Sequence, residues 1–173
     1  MEMPVTSHRS GRKTFLLDPR VQVVKASDPI LRARGYGYKA ELKAGRAVLK
    51  EKVDAGLDFI TTQMFFNNDV FYNFLYRARE AGIMIPVIAG IMPITSPRQL
   101  SRSAAMSGTD VPRRFRAIVD FFGDNPTAMK QAGIVYAAEQ IIDLLANGIR
   151  HIHIYTMNKP DVAEGILRIC PRG

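Results

Sequence analysis

The chain has 173 residues, 47% of them hydrophobic, enough for one well-filled domain and too few for two comfortable ones. No apolar run approaches the roughly 20 residues of a membrane span, and Phe15-Leu16-Leu17 is too short for the ~7–15-residue core of a secretory signal, which excludes both readings. The net charge of +8 is unevenly placed: residues 1–52 hold twelve Lys/Arg against five Asp/Glu, whereas residues 53–173 hold twelve against eleven.

The basicity therefore belongs to a leader segment, and the body of the chain is nearly neutral. With no recognition-helix, zinc-finger or RNA-binding aromatic motif beside it, this charge does not make a nucleic-acid protein. Cys170 stands alone, so neither a disulfide framework nor a cysteine zinc cluster can form. These features point to the cytoplasm.

Residues 1–44 show no sustained period and read as an irregular basic leader. Leu16-Leu17 and Val21–Val24 are short strand candidates, but Pro19 and Pro29 interrupt them, and Arg32–Tyr38 is a glycine-broken loop. The body, residues 45–173, is regular. Leu42, Val48, Leu49 and Val53 recur at helical spacing, with Gly56 where a left-handed residue ends a helix. Asp58–Phe65, rich in β-branched and aromatic residues, reads as a strand. Asn67 or Asn68 caps a helix with Phe71, Phe74, Leu75 and Ala78 on its apolar face, ended by Gly82. Ile85–Ile91 is almost wholly apolar, as suits a strand buried on both faces of a parallel sheet.

Ser96-Pro97 pairs an N-cap with proline at the first helical position, opening a helix to about Met106. Pro112 opens another, with Phe115, Ile118, Val119 and Phe122 on one side. Asn125-Pro126 repeats the cap-proline signature for a long helix carrying Met129, Ala137, Ala138, Ile141, Ile142 and Leu145, closed by Gly148. A third strand runs His151–Thr156. Asn158 or Lys159, then Pro160, lead into a last helix with Val162, Ile166 and Leu167 inward. Strands alternating with helices predict an α/β fold with a parallel sheet and right-handed crossovers. Three strands are fewer than the eight that close a barrel, so the expectation is a partial (β/α)8 TIM-type barrel, its last three strands with their helices.

In such a fold the working residues lie where strands end. That rule selects Gln63 and the Phe65-Phe66-Asn67 turn, the Gly90–Thr95 segment with Gln99 beyond it, and Tyr155–Lys159. Each has a structural alternative: a glutamine satisfying backbone, a tyrosine closing the core rim, a lysine flanking a helix. His151 and His153 alternate like a metal pair, but they stand at a strand's start with no Asp, Glu or Cys to complete a ligand set, so no metal site is expected. Asp54 and Asp58 are no dyad on spacing alone. Neither a dinucleotide fingerprint, a P-loop, a nucleophile elbow nor a zincin motif occurs.

Three segments carry a family likeness. Leu49–Phe66, Pro86–Ile94 and His153–Asn158, in that order, resemble methylenetetrahydrofolate reductases, and the likeness runs from about residue 49 to 169. The resemblance implies a (β/α)8 barrel holding FAD, which takes a hydride from NAD(P)H and gives it to methylenetetrahydrofolate, forming methyltetrahydrofolate for one-carbon and methionine metabolism. It implies that Gln63 bonds the pterin-like ring of a folate substrate and that Gln99 and Tyr155 shape the same pocket. It places Lys159 where the family often has an arginine near the folate's glutamate tail; lysine keeps the charge and loses the bidentate fork. Lys52 and Glu51 fall near the flavin's phosphates and ribose, Lys52 being the residue that suits a diphosphate.

The chain departs from the pattern at Gly45 and Val48. It also lacks the family's early F-E-F-F-P-P-like motif, whose glutamate activates the folate, and the R-G-D-like and Y-P-E motifs that follow. No catalytic residue is therefore assigned in this chain. The expectation is a truncated member, inactive alone, that associates with itself or another chain through open barrel edges; the alternative is a non-catalytic fold remnant or subunit-pairing fragment.

Overall fold

The computed structural model describes residues 6–7, 13–16 and 49–171, so Val21–Val24 lies outside the described residues. In chain order it comprises β1 (Thr6–Ser7), β2 (Lys13–Leu16), α1 (described over 49–54), β3 (Ile60–Met64), α2 (Asn68–Glu80) and β4 (Val87–Ile91). There follow α3 (Pro97–Ser107), α4 (Arg113–Phe122), α5 (Pro126–Ala146), β5 (Ile152–Ile154) and α6 (Pro160–Ile169). The fold is α/β with a parallel three-strand sheet, β3 to β5, as the alternation of periods predicts. The sheet order is β1-β2-β3-β4-β5, so two leader strands join the three expected from sequence. β1 and β2 pair antiparallel, and β2 runs parallel to β3 with Phe15 opposite Ile60 and Leu16 opposite Thr61.

The chain divides into two compact units. The first holds the described residues of Met1–Gln63 together with Val70–Ile88. Here α1 ends as expected: Gly56 has φ +100°, and its N–H donates to Val53 O at 3.0 Å. Asn67 is the cap of α2, its Oδ1 accepting from Asp69 N at 3.0 Å. Phe71 and Ala78 are buried, while Phe74 and Leu75 are half-buried. Gly82, φ +75°, ends the turn after α2, and the Arg79 guanidinium braces the way into β4 by donating to Ile85 O at 3.0 Å and to Ile83 O.

The second unit holds Met64–Asp69 and Ala89–Gly173. β4 pairs parallel with β5 in the register Ala89–Ile152, Gly90–His153, Ile91–Ile154. Ser96 caps α3 by accepting from Gln99 N at 3.2 Å, and Asn125 caps α5 by accepting from Ala128 N at 3.1 Å. Gly108, φ +63°, closes α3. The core gathers Met64, Phe66, Met92, Ile94, Leu100, Phe115, Val119, Met129 and Tyr136. Burying side chains of this size contributes about 1.5–3 kcal/mol each. Phe115 stacks on Tyr136 with ring centroids 4.0 Å apart and leans on Phe66 at 5.3 Å.

Three sequence expectations need correction. The strands are shorter than read: β3 is Ile60–Met64, β4 begins at Val87 and β5 is Ile152–Ile154. Ile142 and Leu167 are exposed, not core-facing; on α5, Met129, Ala137, Ala138 and Ile141 are buried as expected, and Tyr136, Gln140 and Leu144 join them. The leader, read as irregular, supplies β1 and β2 within its described residues. Among the described residues no helix is long and apolar enough to cross a membrane, and no group of three or more His, Cys, Asp or Glu is placed to hold a metal.

Candidate functional site

The best-defined polar arrangement lies in the second unit, where β4 turns into α3 and β5 turns into α6. β4 is buried, and Met92, Pro93 and Ile94 continue that burial beyond its end. The chain then comes out at Thr95 and Ser96. Gln99, one turn into α3, reaches back: its Oε1 accepts from Thr95 N at 2.9 Å and from Thr95 Oγ1 at 3.1 Å, while its Nε2 donates to Pro93 O at 3.3 Å. Helix α5 backs this turn so closely that a Cβ at Gly133 would stand 1.7 Å from Ile94 O. Only glycine permits that approach.

Lys159 enters from the other turn. Its Nζ donates to Thr95 Oγ1 at 2.9 Å, bridging 64 positions of sequence. Between β5 and Lys159 the backbone passes through Met157 (φ 51°) and Asn158 (φ 61°), the only non-glycine residues with positive φ among those described. Such geometry costs of order 1–3 kcal/mol per residue and persists where the surroundings hold it. Lys159 N closes the turn on Thr156 O at 3.1 Å.

Tyr155 leaves the end of β5 with its N–H on Ile91 O at 2.8 Å. Its ring is packed against the core and meets His153 edge-on at 4.4 Å. Burial pushes its phenol above the ordinary tyrosine range, so it stays protonated at neutral pH. The structure thus links Gln99 and Lys159 through Thr95 and sets Tyr155 at the neighbouring strand end. Gln63 is the fourth residue of β3 and half-buried; it lies in the first unit, as do half-buried Lys52 and exposed Glu51 on α1. On that helix Lys50 pairs with Asp54.

The Phe65–Asn68 turn after β3 is held by residues that sequence reasoning did not select. Tyr136 donates its hydroxyl to Phe66 O at 2.7 Å, and Gln140 Nε2 donates to Phe65 O at 3.3 Å and to Asn68 Oδ1 at 3.1 Å. Asn68 Nδ2 donates to Gln140 O at 2.9 Å and to Asp143 Oδ2 at 2.6 Å. Thr109 donates to Met64 O at 3.0 Å. Gln140 Oε1 is buried at the same place without a protein donor. Thr95 stands at the end of the Gly90–Thr95 segment that the strand-end rule selects, though nothing in the sequence singles it out within that segment. Tyr136 and Gln140 have no signal beyond helical spacing.

The model of the family described as "Methylenetetrahydrofolate reductase" matches residues 23–171, beginning well ahead of the Leu49 at which the likeness is visible by eye. The chain is 37% identical over 143 residues to "Methylenetetrahydrofolate reductase (NADH) 1" of Arabidopsis thaliana, covering 83% of this chain and 24% of that protein. It is 39% identical over 119 residues to "Methylenetetrahydrofolate reductase 2" of Saccharomyces cerevisiae, covering 68% of this chain and 20% of the relative. For "5,10-methylenetetrahydrofolate reductase" of Escherichia coli the identity is 30% over 118 residues, 68% of this chain and 40% of that one. The chain therefore spans about a quarter or less of the plant and yeast relatives and 40% of the bacterial one. With the family model matching most of its length, the chain belongs to the methylenetetrahydrofolate reductase family.

Proposed function

We propose that the chain serves the reduction of methylenetetrahydrofolate to methyltetrahydrofolate, with FAD carrying electrons from NADH or NADPH, and that its described residues form part of the folate side of the site. Family membership across residues 23–171 is the observation that carries this reading. Relatives named for NADH and for NADPH support a nicotinamide donor. We infer that the parallel strands β3 to β5 are closing strands of a (β/α)8 barrel and that the chain works in the cytoplasm.

Each residue's part follows from its chemistry. Gln63, at the end of β3, offers an amide that both donates and accepts, as a pterin edge requires. Tyr155 presents a protonated phenol at a strand end, a neutral donor beside an apolar floor. Lys159 carries the positive charge for a glutamate carboxylate. Gln99 shapes the pocket from behind by holding the turn. At the flavin positions, Lys52 stands next to the carboxylate of Glu51, while Lys50 on the same short helix is paired with Asp54. That set neutralises little of a diphosphate, so these positions do not by themselves fit the group, and no step is derived through it.

Among the described residues β5 lies at an edge of the sheet, and an edge strand favours pairing with another chain. We infer association with a second copy or another chain there, read by the mass from light scattering.

The test is calorimetric titration of the chain with 5-methyltetrahydrofolate, alongside absorbance at 450 nm and turnover with added FAD and NAD(P)H. Folate binding that Gln63→Leu weakens at least tenfold is expected, with little retained flavin and no turnover by the chain alone. A folded chain that binds no folate would refute the reading.

A further inference from the structure

We propose that Thr95 is a positioning residue for Lys159, fixing its ammonium at the rim for a carboxylate, and that Gln99 sets the direction of the Thr95 hydroxyl. This rests on the folate reading above and deepens it.

The hydrogen-bond inventory is one-directional. Lys159 has only donors, so Thr95 Oγ1 must accept from it at 2.9 Å. The Thr95 hydroxyl then donates its proton to Gln99 Oε1 at 3.1 Å. Gln99 cannot turn its amide round, because that would set NH2 against the Thr95 N–H at 2.9 Å and its carbonyl against Pro93 O. The chain Lys159 to Thr95 to Gln99 thus has a defined sense, with its far end locked in backbone.

Two further features make this more than an exposed lysine resting on a neighbour. Lys159 is presented by a turn holding two consecutive non-glycine residues at positive φ, a strained geometry kept in place between β5 and α6. The turn carrying Thr95 is pinned from behind at Gly133, where no side chain fits. The backbone is therefore held at both ends of the Lys159–Thr95 bond. An ammonium with one proton on Thr95 keeps two for a carboxylate. Anchoring restores part of the orientation that a planar guanidinium would bring and a free lysine lacks.

The experiment compares wild type with Thr95→Val, Thr95→Ser and Lys159→Met. Affinities are read for 5-methyltetrahydrofolate and for 6-methyltetrahydropterin, which has the ring and no glutamate. One net hydrogen bond corresponds to roughly three- to tenfold in affinity. Thr95→Val is expected to weaken the folate by about fivefold and leave the pterin unchanged; Thr95→Ser restores the folate, and Lys159→Met loses more than Thr95→Val. Acetylation of Lys159 by an N-hydroxysuccinimide ester, followed by mass spectrometry, is expected to speed up in Thr95→Val and not in Thr95→Ser. Equal loss for both ligands would make Thr95 merely structural and overturn the proposal. So would an unchanged folate affinity or an unchanged acetylation rate. If wild type binds neither ligand while acetylation still responds to Thr95→Val, the folate reading and the carboxylate role fall, and the anchoring alone stands.

Discussion

Two strand-end turns in the same unit are held in opposite ways. The turn after β4 is stapled by its own neighbours: Gln99 reaches back four residues to Thr95 and six to Pro93, and Ser96 caps the helix it begins. The turn after β3 is held from far along the chain, with Tyr136 and Gln140 on α5 taking the carbonyls of Phe66 and Phe65 across 70 and 75 positions. The local staple forms whenever α3 begins. The distant one exists only once α5 is docked, so the Phe65–Asn68 turn depends on tertiary packing for its shape. A site built from both combines a turn hydrogen-bonded mainly by its near neighbours with one whose hydrogen bonds come from α5.

The sharpest way to break the contrast is at Gly133, where α5 meets the β4 turn. Alanine there would set its Cβ 1.7 Å from the backbone oxygen of Ile94, so one element must move. Gly133→Ala is expected to destabilise by about 3 kcal/mol or more, the upper end for overpacking. Urea unfolding followed by circular dichroism reads it, and a loss under 1 kcal/mol would show that the helix slides freely.

Tyr136→Phe tests the distant half alone. It keeps the ring stacked on Phe115 and removes the donor to buried Phe66 O, so the expected cost is about 1–3 kcal/mol. Hydrogen exchange at the Phe65–Asn68 amides should rise with it, while the Thr95 amide stays protected. Ser96→Ala tests the local half, with an expected loss of about 1 kcal/mol from the missing cap. Faster exchange at Gln99 N, and no change after β3, would keep the two halves separate.

The smallest effect concerns the pin between α5 and α6. Lys130 hydrogen-bonds Asp161 and holds its carboxyl below the ordinary aspartate range. A depressed folded-state value stabilises above the unfolded aspartate pKa, about 3.9, and that contribution is lost as pH falls through the lower folded value. The pair is exposed, so only a slight shift is expected: the urea midpoint of wild type should fall a little more steeply below about pH 4 than that of Lys130→Met. Parallel curves would remove the pin from the account.

Much was legible in the chain itself, and for a local reason. Ser96-Pro97, Asn125-Pro126, Gly56, Gly82 and Gly148 mark helix ends through backbone chemistry acting over a few residues, and all five do so. The apolar run before Gly90 announced a strand buried on both faces, and residues 87–91 are largely buried. The strand-end rule then selected Gln63, Gln99, Tyr155 and Lys159 without reference to any contact.

What the sequence could not reveal is which distant groups meet. That α5 turns Tyr136 and Gln140 inward and leaves Ile142 outside depends on the elements packed against it, because a helix of mixed apolar content has several equivalent faces until a neighbour chooses one. That Lys159 lands on Thr95 follows from the parallel register of β4 and β5, which sets their exits side by side; hydrogen bonds across 64 residues have no signature in local spacing. Local propensity decided where the elements begin and end, and tertiary packing decided which polar atoms meet at their ends.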